Sequence, residues 1–189
     1  MPSHKVTWKQ GNETFDTLED ILPAEGENLR ILFVGRVPSP ESVRFGHYWQ
    51  GHHGQLFWEK LREYNILNTP KGIINGIGED DHLLHCGYGM IDIANKPRYT
   101  GEKVSSAEYR EGHARLLSVV SRHNPEVIVF IYKTIIPEIL GVIADYGFND
   151  NLKGLFGDSR IFVFPMPGTP CNREVIKSSM GELKDYLGL

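Results

Sequence analysis

The sequence has few cysteines, no long apolar run and no excess of positive charge. Its two cysteines, Cys86 and Cys171, lie far apart and form no Cys-x-x-Cys pair, which excludes a thiolate zinc site or an iron–sulfur cluster. No stretch approaches the ~18 consecutive apolar residues of a membrane span, and the amino-terminal residues contain no apolar signal core. We therefore expect an intracellular protein, cytoplasmic in a prokaryote or nuclear in a eukaryote, with no membrane partner.

The charge balance also limits the partners. A net charge of −4 argues against a protein that coats nucleic acid by bulk electrostatics, because such binding needs clustered Lys and Arg. A local basic face is compatible with this balance. The 189 residues are 40% hydrophobic, which suits one domain of ~100–200 residues with one core. We expect a single domain over residues 1–189, in which residues 1–28 are an N-terminal embellishment.

Short apolar runs alternate with helical patterns along the chain. The runs typical of strands buried on both faces cover residues 29–35, 90–94, 127–131 and 160–164. Helical spacing of apolar residues covers residues 55–64, 105–124, 135–146 and 172–187. This alternation predicts right-handed crossovers between parallel strands. The predicted fold class is therefore α/β, a three-layer α/β/α sandwich around a four-stranded mostly parallel sheet.

Three segments with unusual residues include the ends of predicted strands, at the edge where open parallel sheets bind ligands. They are Gly35-Arg-Val-Pro-Ser-Pro-Glu41 with the later Phe57-Trp58 pair, Gly87-Tyr-Gly-Met-Ile-Asp-Ile-Ala-Asn-Lys-Pro97, and Phe164-Pro-Met-Pro-Gly-Thr-Pro-Cys-Asn-Arg173. Each segment alone is a weak signal, because Gly-Pro turns and aromatic pairs are common in proteins. Their order, spacing and placement on strand ends make the combination specific.

Together these segments resemble the uracil-DNA glycosylase superfamily, nearest its mismatch-specific uracil/thymine branch. The resemblance spans residues 29–187 and implies a uracil-DNA glycosylase-like fold that acts as a monomer, without cofactor, on DNA containing a damaged or mismatched base. Two positions depart from the family pattern. The Asn that positions the attacking water in the family is replaced by Val37, and the second-motif Asn by Met166. Because valine cannot orient water or accept a proton, catalysis must come from another residue or be absent.

Asp92 is the candidate catalytic residue, since it interrupts the second apolar strand and the resemblance places it beside the pocket. A carboxylate can orient water and stabilise the positively charged sugar of N-glycosidic cleavage. An acid inside an apolar strand is costly unless it is paired or functional. The alternative is a structural role for Asp92, as a cap or in a salt bridge with Lys96 or Arg98. The sequence leaves both interpretations open.

The resemblance implies a base pocket that contains Val37, Tyr48, Trp49 and Met166. Trp49 would stack on the flipped base, which suits any base because all have a π face. The alternative for Trp49 is core packing or an exposed loop position. Tyr48 and His47 could donate to the leaving base or simply support the loop, and the sequence does not rank them.

The resemblance also assigns DNA contacts. Gly168 and Thr169 would enter the minor groove when the nucleotide is flipped. Asn172 and Arg173 open the final helix, whose free backbone N–H groups suit phosphate, although an ordinary N-cap followed by a surface arginine explains them equally well. Ser39 could hold a phosphate or serve only as a turn residue.

Histidine pairs raise the question of a metal. His52 and His53 are adjacent, and His82 and His85 are three residues apart. Adjacent histidines point apart, and no carboxylate–histidine pattern accompanies either pair. We expect no metal site from these residues.

The sequence thus predicts a monofunctional DNA glycosylase that hydrolyses the bond to a deaminated or mismatched base. Replacement of both family Asn residues weakens the case for recognition of uracil alone, because amides recognise base edges through paired donors and acceptors. Hypoxanthine and xanthine are therefore further candidate substrates. The first alternative is a noncatalytic nucleic-acid or lesion-binding module that kept the fold. The second is an unrelated α/β enzyme, although no Gly-rich phosphate loop or Gly-x-Ser-x-Gly motif supports it.

Overall fold

A computed structural model describes residues 3–167 and 171–189. The helices and strands, in chain order, are β1 (Lys5–Gln10), β2 (Glu13–Leu18), β3 (Ile31–Gly35), α1 (Pro40–Phe45), α2 (His52–Glu63), β4 (Tyr88–Asp92), α3 (Ser106–His123), β5 (Val127–Phe130), α4 (Ile135–Leu140), β6 (Gly147–Phe148), β7 (Arg160–Val163) and α5 (Arg173–Tyr186). Within these described ranges, short 3-10 helices cover Glu79–His82, Leu84–Cys86 and Asp150–Leu152.

The central sheet has the strand order β4-β3-β5-β7-β6. The first four strands are parallel, and β6 runs antiparallel to β7. Every residue of β3, β4 and β5 is buried, as expected for strands covered on both faces by helices. The predicted α/β fold class is confirmed. The structure adds β6 as a fifth strand, whose two residues are too few to give an apolar pattern in the sequence.

Helices cover both faces of the sheet, because side chains alternate between faces along each strand. Phe33 of β3 belongs to an apolar cluster with residues of α2 and α5. Its neighbours Leu32 and Val34 belong to a second cluster, with residues of α3 and α4. The core therefore has two halves, one on each side of the sheet.

The helix termini follow the capping residues. Ser105 and Glu108 form the predicted capping box of α3, in which each side chain accepts a hydrogen bond from the other's backbone N–H. The predicted helix over residues 135–146 is shorter than expected and ends at Leu140. Gly141 adopts a left-handed conformation there, with φ of 67°, which terminates a helix. None of the helices in the described ranges is long and apolar enough to cross a membrane.

The residues before β3 contribute to the core. β1 and β2 form a hairpin, and the helical turn that Leu18 to Leu22 predict in the sequence, closed by Pro23, does not form. Ile21 instead pairs with Met90 through two backbone hydrogen bonds of 2.9 Å. Because β4 lies at the edge of the sheet, this bridge satisfies backbone groups that β3 does not reach. The side chains of Leu18 and Ile21 are buried in the core cluster that contains Phe33.

Candidate active site

A cavity of about 500 Å³ opens at the carboxyl ends of β3, β4 and β5, the edge where parallel sheets bind ligands. Its lining comes from the loops after these strands and from the segment that leads into α2. The lining positions are residues 36–42, 48–54, 92, 98–101, 132 and 134. Two of the three sequence segments singled out above therefore meet in one cavity.

Asp92 is the last residue of β4 and pairs in register with Gly35, the last residue of β3. The residue is 4% exposed and lines the cavity. Among the described residues, its Oδ1 atom has no hydrogen-bond partner. Burial penalises the charged form of such a group. It raises the pKa of Asp92 to about 8, an effect to which the charge of Asp20 adds and which Arg115 opposes.

The ion pairs do not support a salt bridge between Asp92 and Lys96 or Arg98. Lys96 pairs with Glu13 at 2.6 Å, and Arg98 pairs with Glu108 at 2.6 Å. Both candidate cations are therefore committed to other carboxylates. Asp92 remains a buried acid that faces the cavity.

Arg115 of α3 fixes the strand end behind Asp92. Its guanidinium donates to the main-chain carbonyl of Asp92, forms an ion pair with Asp20, and donates to Asn95 Oδ1 at 3.0 Å. Thr17 Oγ1 in turn donates to the main-chain carbonyl of Asn95 at 2.5 Å. Sequence reasoning missed Arg115 and Asp20, because they reach Asp92 from distant parts of the chain and no local pattern marks them.

Gly35 makes room for the Asp92 carboxyl. A Cβ atom at position 35 would lie 2.0 Å from Asp92 Oδ1 and 3.3 Å from Trp49 Cζ2. A real Cβ atom does not approach an oxygen so closely, so a side chain at this position would displace the carboxyl group. Glycine at this position therefore allows the close approach of Asp92 and Trp49.

Trp49 lines the cavity and is held on several sides. Its ring packs at a tilt against Phe57, with centroids 5.3 Å apart, and against Tyr132 at 5.7 Å. The backbone φ of Trp49 is 55°, a left-handed conformation that is uncommon for a bulky residue and that packing must enforce. The start of α2 supplies that packing, since a Cβ on Gly54 would lie 2.1 Å from the Trp49 carbonyl oxygen.

Tyr48 and His47, which the sequence did not rank, have different surroundings. Tyr48 is buried, and its hydroxyl donates to the main-chain carbonyl of Glu19 at 3.2 Å. Burial raises the pKa of Tyr48 well above its usual range, so the hydroxyl is a neutral donor that is already engaged. The His47 ring contacts Asp80 at 2.9 Å and is not part of the cavity wall.

Val37 and Met166 lie in two adjoining cavities. Val37 is half-buried in the wall of the main cavity. Met166 lines a neighbouring cavity of about 360 Å³, which shares Tyr132 and Thr134 with the main one. The structure thus separates two residues that the sequence assigned to one pocket.

Of the predicted DNA contacts, Ser39 lines the main cavity. Ser39 is the N-cap of α1, and its Oγ accepts from the Ser42 N–H at 3.0 Å. Asn172 is the predicted N-cap of α5 and accepts from the Glu174 N–H at 2.8 Å. Arg173 is exposed at the start of α5. The assigned Gly168 and Thr169 lie outside the described residues.

Tyr132 is a cavity residue that sequence reasoning missed. It lines both cavities and packs against Trp49. Burial raises its pKa, as does the charge of Asp92, whereas Arg36 lowers it. A signal was available, because Tyr132 is the first polar residue after the apolar run of residues 127–131 and so follows a strand at its carboxyl end.

Comparisons with known proteins agree with this geometry. The model of the uracil DNA glycosylase superfamily matches residues 23–173, a range that contains the cavity-lining residues. A curated relative, the G/U mismatch-specific uracil DNA glycosylase of Schizosaccharomyces pombe, is 26% identical over 171 residues, which cover 84% of this chain and 50% of the relative. The chain therefore spans half the length of that relative. On the extent of the superfamily match, the chain belongs to the uracil DNA glycosylase superfamily.

Proposed function

We propose that this chain is a monofunctional DNA glycosylase, which hydrolyses the N-glycosidic bond of a deaminated or mismatched base after the base is flipped out of the duplex. The observation that carries the proposal is the Asp92 carboxyl, which is buried at the cavity with an oxygen that no described residue satisfies. A buried acid with a raised pKa in a cleft is typical of a catalytic group. Membership of the superfamily supplies the reaction class.

The chemistry follows from the charges that develop during bond cleavage. The sugar becomes oxocarbenium-like while negative charge builds on the departing base. Ionised Asp92 would orient the attacking water and stabilise the sugar cation. Arg36 and Tyr132 bring N–H and O–H donors to the same cavity, and donors of this kind stabilise the negative charge on the base.

The cavity wall is better suited to recognise several different bases than to recognise uracil alone. Val37 offers an apolar surface where the family pattern has an amide, and an amide reads a base edge through paired donors and acceptors. The indole of Trp49 offers stacking that is insensitive to base identity. Uracil, hypoxanthine and xanthine are therefore the substrates to compare.

The direct test uses end-labelled oligonucleotides that carry uracil, hypoxanthine, xanthine or a G·T mismatch. After incubation with the protein, alkali cleaves any abasic site. We expect strand scission on at least one deaminated base, at the position of the lesion. Lesion-dependent binding without scission on any substrate would instead identify a noncatalytic lesion-binding module.

Trp49→Ala should lower kcat/KM for base excision by roughly 10- to 100-fold, because stacking on an aromatic ring is worth ~1–3 kcal/mol per base. Trp49→Phe retains a π face and should keep most of the activity. The matched control is Trp8→Ala, which removes a partly exposed tryptophan of β1 that does not line the cavity. Equal activity of Trp49→Ala and Trp8→Ala would show that Trp49 does not hold the base.

Gly35→Ala should lower the excision rate by about 100-fold with little loss of folding stability, because displacing a reacting group by ~1 Å has an effect of this size. The added methyl group meets the end of the Asp92 side chain, which can rotate away and leave its productive position. Gly181→Ala on α5 is the control, since a Cβ there meets no atom within 4 Å. Normal activity of a folded Gly35→Ala variant would contradict the assigned position of the carboxylate.

A further inference from the structure

Four ionisable side chains meet outside the cavity, where the segment before β1, the loop after α1 and the 3-10 helix Glu79–His82 come together. They are His4, His47, Asp80 and Asp81, and one ligand atom from each lies within 4.8 Å of the others. His47 and Asp80 are buried, and His4 and Asp81 are partly buried. The proposed excision reaction uses none of these residues.

The separations between these atoms suit a single metal ion. His47 Nδ1 lies 2.9 Å from Asp80 Oδ1 and 3.5 Å from Asp81 Oδ2, while His4 Nε2 lies 3.1 Å from Asp81 Oδ1 and 3.8 Å from Asp80 Oδ2. Zinc bonds of ~2.0–2.2 Å to nitrogen and oxygen place adjacent ligands of a tetrahedron ~3.3–3.6 Å apart. The separations that involve the carboxylate Oδ1 atoms, 2.9 and 3.1 Å, lie slightly below this distance, and one atom from each of the four residues lies within 4.8 Å of the others. Two imidazoles and two carboxylates also neutralise a dication.

The surrounding backbone orients the ligands. Asp80 Oδ2 accepts from the Tyr48 N–H at 2.6 Å, and Asp81 Oδ2 accepts from the Gly78 N–H at 2.8 Å. Contacts of this kind fix the orientation of metal ligands in protein sites. Each carboxylate keeps its Oδ1 atom directed at a histidine nitrogen.

A glycine permits the four side chains to converge. A Cβ on Gly78 would lie 2.5 Å from Asp80 Oδ1 and 2.7 Å from His47 Nδ1. Any other residue at position 78 would therefore push the ligands apart. The close approach at Gly78 is a second observation, independent of the ligand types, that supports a compact site.

We infer that His4, His47, Asp80 and Asp81 bind one transition-metal dication, most favourably Zn²⁺, in a closed structural site. Four protein ligands fill a tetrahedral shell, which is typical of structural zinc. The ligands come from three separate segments, so the ion would tie the N-terminal hairpin and the 3-10 helix to the loop that carries Tyr48 and Trp49. Binding that closes such long loops stabilises the fold. This inference departs from the expectation of no metal, which weighed only neighbouring histidine pairs.

The experiment measures metal binding by the full chain. After treatment with a chelator and dialysis, the protein is titrated with ZnCl₂, and bound zinc is measured by elemental analysis. We expect about one zinc per chain and a Tm that rises with zinc. Co²⁺ in place of zinc should give the intense visible absorption of a tetrahedral site. A wild-type protein that retains no zinc and shows no zinc-dependent Tm would overturn the inference and leave a hydrogen-bonded His–Asp cluster.

Variants locate the bound ion. His4→Gln and Asp81→Asn should each weaken zinc binding by more than about 100-fold, because even residues behind the ligands contribute roughly 10- to 100-fold. His85→Gln is the matched control, since it removes an exposed histidine outside the cluster. His4 lies before the first strand, so we expect His4→Gln to fold. Circular dichroism checks that each variant is folded. Zinc affinity equal to that of the wild type in folded His4→Gln would also overturn the inference.

Discussion

Asp92→Asn is expected to lower the rate of base excision by at least about 10³-fold, the loss typical when a charged catalytic group is removed. Asparagine has nearly the shape of aspartate and fits the same buried position beside Gly35. It can neither carry the negative charge nor accept a proton from water. DNA binding should be retained, because Asp92 is a buried acid and donates nothing to phosphate.

The comparison needs single-turnover rates and binding constants for the same lesion duplex. Asp158→Asn makes the same chemical change at an exposed position that does not line the cavity, and it should match the wild type. A loss in the rate of Asp92→Asn without a loss in binding assigns the effect to the chemical step. If Asp92→Asn keeps more than about a tenth of the wild-type rate, the catalytic group is another residue.

The second large effect is on pH dependence. With the pKa of Asp92 raised to about 8, the carboxyl is mostly protonated in the free protein at neutral pH. Because the proposed role needs the ionised form, the excision rate should rise about 100-fold from about pH 6 to about pH 9 and level off above the pKa. Single-turnover rates across this range provide the measurement. A rate that falls over the same range would instead make Asp92 a proton donor.

The same pKa makes a separate prediction about folding. A carboxyl whose pKa is raised in the folded state binds its proton more tightly there than in the unfolded chain. Its contribution to the free energy of unfolding is therefore fully present below the unfolded pKa and is lost as the pH rises to about 8. Asp92→Asn removes this loss and should be more stable than the wild type by roughly 3–5 kcal/mol at about pH 9, and by less at about pH 5.

This stability difference, measured by urea unfolding at both pH values, checks the environment of Asp92 without any DNA. An inactive variant that is also more stable is the pattern of a functional residue that destabilises the fold. Equal stability of both proteins at high pH would show that the carboxyl is better solvated than its burial implies.

Local sequence patterns were sufficient for the parallel strands of the sheet and for the starts of two helices. Apolar runs predicted the four parallel strands, and Ser105 with Glu108 and Asn172 marked the starts of α3 and α5. These features are local because burial on both faces requires consecutive apolar residues, and a cap satisfies backbone groups a few residues away. The end of α4 at Leu140 was missed, although Gly141 was visible in the sequence as a terminator.

What the sequence by itself determined was the α/β fold class and the presence of one acid, Asp92, within an apolar strand. Only the tertiary structure decided the surroundings of Asp92. Its carboxyl group lies close to Gly35, and Arg115 donates a hydrogen bond to its main-chain carbonyl. The tertiary structure likewise brought His4 to Asp81, although the residues lie far apart in the chain. The physical reason is that local patterns record burial and backbone period, whereas a site depends on the relative placement of segments that only packing of the whole core determines.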